Sequence, residues 1–365
     1  MRAVVVSPPR PGARLADVPT PTPGPGEVSV RVLECGVCGT DRDIAQGLYG
    51  TAPAGTDQLV LGHENFGVVE AVGANVAGWS PGDYVVATVR RGCGTCRFCL
   101  TNQSDFCETG AFTERGIRGR DGYFAERYVE TPEYLVRIPS ALRRVAVLLE
   151  PMSVVEKAVY EGQEVLARRG RTPGHDPPMP RRALVAGTGA IGMLAAFLLR
   201  SEGYEVTAID RHGSDTPAGT LLRRIGATHV DASAGIGSLG GARFELVVEA
   251  TGNPGLDFDL VGTLGPNAVL VLTGIPAAGH GSLPPTDAGA LLRNMVLGNQ
   301  AMVGSVNANR RYFERGRRHF RTFRRLWGDA LEQLITERAP WEQFDRLLTA
   351  PGGGSMKSVL VVSAR

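Results

Sequence analysis

Six cysteines lie between Cys35 and Cys107, and the spacing of four of them is a chemical signal. Cys93, Cys96, Cys99 and Cys107 follow C-x2-C-x2-C-x7-C. Four thiolates at such intervals wrap one tetrahedral zinc ion, and Gly94 and Arg97 between them are compatible with tight turns. Such a site has no open position, so its expected role is structural. Buried free cysteines are the plainer reading, and the spacing speaks against them. An iron–sulfur run would end in Cys-Pro, whereas Glu108 follows Cys107. A zinc-ribbon DNA module would call for a basic helix after the loop, and none follows.

A second set stands upstream. Cys38, in Cys38-Gly39-Thr40-Asp41, and His63 and Glu64, in Gly62-His63-Glu64, offer a thiolate, an imidazole and a carboxylate that together suit zinc. Glu150, in Leu149-Glu150-Pro151, adds an oxygen donor. A zinc with an open position is catalytic: it binds a substrate oxygen, lowers the alcohol pKa and stabilises the alkoxide from which hydride leaves. Cys38, Thr40, His63 and Glu64 are therefore the expected catalytic residues, with Thr40 relaying the proton. Asp41 is expected to orient His63. Cys35 forms C-x-x-C with Cys38, but no thioredoxin-like unit surrounds the pair, so Cys35 reads as a buried bystander. Singly, each of these residues has a plain structural reading. Their weight comes from occurring together, upstream of a third motif.

That motif is Gly187-Thr188-Gly189-Ala190-Ile191-Gly192, a G-x-G-x-x-G between a strand and a helix. Its glycines permit a tight turn and close approach of a pyrophosphate to the helix N-terminus. Asp210 follows about 20 residues on, where an acid meets the ribose hydroxyls. Asp210 repels a 2′-phosphate and favours NAD. Arg211 and His212 follow it and attract that phosphate, so NAD and NADP both remain, with NAD ahead. Thr251, Thr273 and Asn307 complete the expected cofactor-binding set.

Two kinds of element must position these groups. The first ~165 residues read as short strands and turns, including 28–32, 66–72 and 83–87. Residues 149–169 have helical spacing. The stretch 168–182 is rich in Pro, Gly and Arg and reads as a linker. From 181 to about 307, strands (183–186, 205–209, 245–249, 269–272) alternate with helices such as 191–201, which implies a parallel sheet covered by helices. A helical stretch, 310–336, and a final strand, 357–362, could rejoin the first domain.

Composition narrows the class. With 43% hydrophobic and 21% charged residues, the 365-residue chain has room for two cores. A net charge of +2 gives no reason to expect nucleic acid or an acidic membrane as partner. Lysine occurs only at Lys157 and Lys357, which reads as codon bias. The longest apolar run, 183–199, holds three glycines and is not a membrane span. No signal peptide opens the chain, so a cytoplasmic location is expected.

These motifs resemble the zinc-containing medium-chain dehydrogenases and, within them, the glucose dehydrogenases of archaeal type. The resemblance rests on Cys38-Gly39-Thr40-Asp41-Arg42, Leu61-Gly62-His63-Glu64, Arg90-Arg91-Gly92-Cys93-Gly94, Asp105-Phe106-Cys107-Glu108-Thr109-Gly110, Glu156-Lys157 and Val303-Gly304-Ser305-Val306-Asn307. It implies an α/β chain: a GroES-like β-rich catalytic domain (1–180 and 308–365) and a Rossmann domain with a doubly wound parallel sheet (181–307). It implies two zinc ions per chain and a homodimer or homotetramer. Cys38, His63, Glu64 and Glu150 match the catalytic-zinc positions. Glu114 and Asn307 match sugar-binding residues, with Thr40 and Glu150 also facing substrate. Val89, Val154 and Leu297 stand where glucose-binding members tend to carry Asn, Asp and His. Each change deletes a polar partner for a hydroxyl, which points to a less hydroxylated sugar, a cyclitol or a biosynthetic intermediate.

The leading expectation is thus a zinc-dependent NAD(P) oxidoreductase acting on a sugar, cyclitol or other polyol hydroxyl, with a less hydroxylated secondary alcohol or ketone as the alternative. A non-catalytic zinc- and NAD(P)-binding regulatory protein is the rival from another class, and a pure binder has no need of an open metal site. A nucleic-acid-binding zinc protein does not account for the dinucleotide motif.

Overall fold

The computed structural model describes residues 1–168, 181–276, 287–349 and 355–363, so the expected linker lies almost wholly outside the described residues. The chain divides into two units. The first comprises Met1–Ser153, Asn307–Arg321 and Ile335–Arg365; the second comprises Val154–Val306 and Thr322–Leu334.

The first unit is built around the strand Val28–Val37, longer than its alternating start predicts and buried along almost its whole length. It pairs antiparallel with Glu64–Val72, Arg127–Glu130 and Ser358–Val361. The C-terminal strand does rejoin this domain, and Glu337–Pro340 pairs parallel to it. Val30, Val32, Val69, Val85, Tyr123, Leu135 and Leu360 form part of one apolar core. Register sets the chemistry. Gly36 pairs with Glu64, and Val37 pairs with Ser358, so Glu64 and Lys357 meet beside Gly36. Only glycine fits there, because a Cβ at Gly36 would lie 1.9 Å from Glu64 Oε2 and 2.8 Å from Lys357 Cε.

The second unit holds, among its described residues, a six-stranded parallel sheet in the order Thr228–Asp231, Glu205–Asp210, Arg182–Ala186, Phe244–Glu249, Leu264–Leu272, Ala301–Gly304. The order reverses beside Arg182–Ala186, as in a doubly wound nucleotide-binding fold. The two edge strands escape the apolar-run criterion because they are short and only partly apolar (Thr-His-Val-Asp and Ala-Met-Val-Gly). The helix expected over 310–336 is Arg310–Trp327, and it stops where Gly328 takes a left-handed φ of 63°.

The unit boundaries also differ from the expected 181 and 307. Most of the helix Leu149–Ala167, and residues 322–334, belong with the parallel sheet. Packing explains both. A Cβ on Gly162 would sit 2.8 Å from Leu246 Cδ1 and 2.8 Å from Val271 Cγ2, so this helix lies close on the sheet. Phe323 and Trp327 each place their rings 5.4 Å from that of Phe197. Among the described residues no helix is long and apolar enough to cross a membrane.

The close approach at Gly162 carries a prediction. Gly162→Val is expected to destabilise the protein by about 1–3 kcal/mol through overpacking, read as a lower urea midpoint. An unchanged midpoint would mean the helix does not rest on Leu246 and Val271.

Candidate active site

Cys38 stands at the start of the helix Gly39–Ala45 with an extended backbone. The helix begins there because Asp41, in its first turn, folds back and accepts the Cys38 backbone N–H on Oδ2 at 2.9 Å. The other Asp41 oxygen, Oδ1, lies 3.2 Å from Nδ1 of His63. On the far side of the ring, His63 Nε2 is 3.0 Å from Cys38 Sγ. Burial alone would lower the pKa of this imidazole, but the Cys38 and Asp41 charges outweigh it and hold it well above its ordinary range. Thr40 is half-buried in the same helix. Cys35 is fully buried and donates to the Tyr123 carbonyl at 3.1 Å, apart from the donor set.

Glu64 opens the strand Glu64–Val72 and pairs through Oε1 with the buried Lys357 ammonium. Burial would lower the Lys357 pKa, but the Glu64 and Cys38 charges raise it above the ordinary value. Glu64 Oε2 is buried without a hydrogen-bond partner. Donor atoms of Cys38, His63 and Glu64 all lie within 4.8 Å of one another. A soft thiolate, an imidazole and an unpartnered carboxylate oxygen fit zinc. Glu150 is buried nearby in the same unit, where burial pushes its carboxyl up to about 7, opposed by His63 and Lys357 and reinforced by Glu64 and Asp41.

Lys357 is the residue that sequence reasoning missed. The signal was present: a chain rich in arginine keeps only two lysines, and both are buried. The second, Lys157, donates to the Val306 carbonyl at 3.1 Å. Codon bias explains the rarity of lysine but not where these two stand.

The other four cysteines also converge, with sulfurs within 4.8 Å of one another. Gly92 makes room, since a Cβ there would lie 2.5 Å from Cys99 Sγ. Hydrogen bonds from Thr109 and Thr95 bring the Cys93 thiol down to about 5, while burial pushes Cys99 up to about 12. Without a cation, four adjacent sulfurs cannot all ionise; a zinc ion resolves that conflict.

Glu114 and Asn307 are brought together. Asn307, at a φ of 59°, donates Nδ2 to Glu114 Oε1 at 2.7 Å. The same oxygen accepts Arg90 Nε at 3.0 Å and Nη2 at 2.9 Å. Arg90 in turn stacks on Phe112, 3.9 Å from the ring centre. The three apolar departures occupy different environments. Val89 is 2% exposed within the core of the first unit, Val154 is half-buried, and Leu297 is 69% exposed.

In the second unit, the glycine-rich turn has the shape its motif predicts. Gly187 has a φ of 99°, and a Cβ on Gly192 would lie 1.9 Å from the Gly187 carbonyl oxygen. A Cβ on Gly189 would meet nothing within 4 Å, which leaves the turn open for a pyrophosphate. Ala190 and Ile191 begin the helix Ala190–Ser201. Thr251 and Thr273 are pinned by a buried acid that sequence reasoning did not single out. Glu249 Oε1 accepts Thr251 Oγ1 at 2.6 Å and the Gly252 N–H at 2.9 Å, Oε2 accepts the Gly274 N–H at 3.1 Å, and the Glu249 carbonyl accepts Thr273 Oγ1 at 2.5 Å.

The Glu150 shift makes a pH prediction for metal-free protein. Below about pH 4.5, folded and unfolded chains both hold the proton and Glu150 costs nothing. As pH rises toward 7 the unfolded chain releases it while the folded chain retains it, so stability falls. In chelator-treated protein, Glu150→Gln should exceed the parent in stability by up to roughly 3 kcal/mol above neutral pH, with no difference below about pH 4.5. Urea unfolding across that range tests it, and a pH-independent difference would contradict it.

Comparisons with known proteins cover both parts of the chain. Residues 24–140 match the alcohol dehydrogenase GroES-like domain and residues 143–362 match the glucose dehydrogenase C-terminus. Glucose 1-dehydrogenase of Methanocella arvoryzae is 40% identical over 348 residues, 94% of each chain. Glucose 1-dehydrogenase of Thermoproteus tenax is 40% identical over 349 residues, again 94% of each. Among solved structures, the Haloferax mediterranei glucose dehydrogenase in complex with NADP, Zn and gluconolactone superposes with a TM-score of 0.87 at 32% identity, over 100% of both chains. With both halves matched and relatives aligned along nearly its whole length, the chain belongs to the glucose dehydrogenase family of zinc-dependent medium-chain dehydrogenases.

Proposed function

We propose that this protein catalyses reversible hydride transfer between a sugar or polyol hydroxyl and a nicotinamide dinucleotide. One zinc would be held by Cys38, His63 and Glu64, with Glu150 as a further oxygen donor. A second, structural zinc would be held by Cys93, Cys96, Cys99 and Cys107. The observation that carries the reading is the convergence of three unlike donors within 4.8 Å, in which Glu64 also keeps one buried oxygen, Oε2, without a hydrogen-bond partner. A protein that only bound a dinucleotide would have no use for them. Glucose 1-dehydrogenases among the relatives, and the gluconolactone complex of the Haloferax enzyme, support a sugar as substrate.

Zinc supplies Lewis acidity and the nicotinamide supplies the hydride acceptor. The chain supplies position. Asp41 faces His63 Nδ1 and leaves Nε2 for the metal. Lys357 holds Glu64 Oε1, so Oε2 is the donor. Thr40 carries the substrate proton away through its hydroxyl. Glu114, steered by Arg90, accepts from a sugar hydroxyl, and Asn307 beside it offers a second polar contact. The 187–192 turn takes the dinucleotide pyrophosphate, with Thr251 and Thr273 beside it and Asp210, Arg211 and His212 at the ribose. NAD and NADP both fit this set. A homodimer or homotetramer accords with the family resemblance.

Elemental analysis is expected to find two zinc ions per chain. Cys38→Ser should retain one, keep its fold and lose turnover; Cys93→Ser should lose the loop's zinc and melt earlier, because structural zinc contributes to folding. One zinc in the parent, unchanged by Cys38→Ser, would overturn the catalytic site. Val89, Val154 and Leu297 offer no hydroxyl partner, so kcat/KM for D-glucose is expected to fall at least about 100-fold below that of a true glucose enzyme, with activity on a cyclitol or deoxygenated sugar. Higher efficiency on D-glucose would overturn that preference and leave the zinc assignment standing.

A further inference from the structure

Arg90 and Glu114 are register partners on two short strands, Arg90–Arg91 and Thr113–Arg115, and Gly119–Arg120 adds a third strand to their sheet. The half-buried ring of Phe112, just before the second strand, takes two guanidiniums. Arg90 stacks 3.9 Å from the ring centre and Arg118 stacks 4.7 Å from it. The two arginines are otherwise unlike. Arg90 is buried and spends its nitrogens on Glu114 Oε1 and the Asp105 carbonyl. Arg118 is exposed, and among the described residues its guanidinium has no partner but the ring.

The nearby acids are already engaged. Glu114 Oε1 holds Arg90 and Asn307, and Glu130 holds Arg91, Arg115 and, at 3.9 Å, Arg120. Asp121 accepts the Val60 N–H at 2.9 Å. Arg118 is left as a surplus cation in solvent.

Local geometry fixes it beside the sugar-binding pair. The Glu114 N–H donates to the Arg118 carbonyl at 2.8 Å and the Arg118 N–H to the Glu114 carbonyl at 2.9 Å, which closes a turn over 114–118. That turn is clamped against the segments that carry His63 and Thr40. A Cβ on Gly116 would lie 2.2 Å from the Gly62 carbonyl oxygen, so the turn rests on the backbone just before His63. The Ile117 carbonyl accepts the Thr51 N–H at 3.0 Å, from the loop that follows the helix Gly39–Ala45.

A guanidinium stacked on a ring keeps its N–H edges for a bidentate contact with carboxylate or phosphate. Because the stack holds it before a ligand arrives, little side-chain entropy is lost on binding. A neutral hydroxyl gains less from such a donor than an anion does. We propose that the substrate is an anionic sugar or polyol, bearing a phosphate or carboxylate that Arg118 holds while Glu114 and Asn307 take a hydroxyl. The anionic group does not react; hydride leaves from a hydroxyl-bearing carbon elsewhere on the molecule. This rests on the reading that Glu114 and Asn307 contact a sugar.

Steady-state kinetics of the zinc-loaded protein on matched pairs tests it: 2-deoxy-D-glucose against its 6-phosphate, and D-glucose against D-glucuronate, with NAD and with NADP. At least one anionic member is expected to exceed its neutral partner in kcat/KM by about tenfold or more, the gain lying in KM. The pair that shows it distinguishes phosphate from carboxylate. Added salt should shrink the preference, because Arg118 is exposed to screening. Arg118→Gln should bring the ratio to about one, Arg118→Lys should restore part of it, and Arg118→Glu should invert it. Arg14→Gln, which removes an exposed charge on the strand Arg10–Asp17, should keep the parental ratio. Neutral members equal or preferred in the parent, a preference that survives Arg118→Gln, or one lost equally in Arg14→Gln overturns the proposal. If no member of either pair is turned over, the sugar reading itself falls, an outcome distinct from equal rates.

Discussion

Asp41 is fully buried, and each of its oxygens faces a different part of the candidate metal set. Oδ2 takes the Cys38 N–H and so fixes where the helix Gly39–Ala45 begins; Oδ1 faces His63 Nδ1 and so turns the ring toward the sulfur. A buried carboxylate is costly unless its partners are charged or well aligned; Oδ2 has the Cys38 N–H, and Oδ1 has the His63 imidazole opposite it. Lys357 plays the corresponding part for Glu64 across Gly36, where no side chain larger than hydrogen fits. The thiolate, imidazole and carboxylate thus converge because two buried charges outside the donor set hold them. The long strand Val28–Val37 is the element on which both arrangements hang.

The second unit uses a similar device. Glu249 is fully buried and ties the loops after two adjacent strands through backbone and hydroxyl donors. A Cβ at Gly274 would lie 2.1 Å from the Gly252 nitrogen, so these loops are also in close backbone contact. Thr251 and Thr273 are therefore held in place without any ligand. On the sugar-binding side, Arg90 and Asn307 share one oxygen of Glu114, which keeps that acid oriented in the same manner.

What the sequence made legible was local. C-x2-C-x2-C-x7-C, Gly62-His63-Glu64 and G-x-G-x-x-G carry their geometry within a few residues, so their types and spacing sufficed. The strands of the parallel sheet with long apolar runs were equally plain, and Thr228–Asp231 was not, because polar residues interrupt it. Lys357 lies 293 residues from Glu64, and only strand register brings them together. Glu249 carried no motif of its own; its role needs the meeting of two loops. The boundary between units was missed for a related reason. A glycine in the helix Leu149–Ala167 and a cluster of aromatic rings decide which sheet those helices cover, and neither changes the helical period.

The proposed metal centre of Cys38, His63 and Glu64 is distinct from the four-cysteine loop. Diffraction from crystals of the zinc-loaded protein, collected on both sides of the zinc absorption edge, addresses it directly. Two anomalous peaks per chain are expected, one within bonding distance of Cys38 Sγ and His63 Nε2 and one among Cys93, Cys96, Cys99 and Cys107. A single peak in the cysteine loop, with Cys38 and His63 still in direct contact in zinc-saturated crystals, would contradict it.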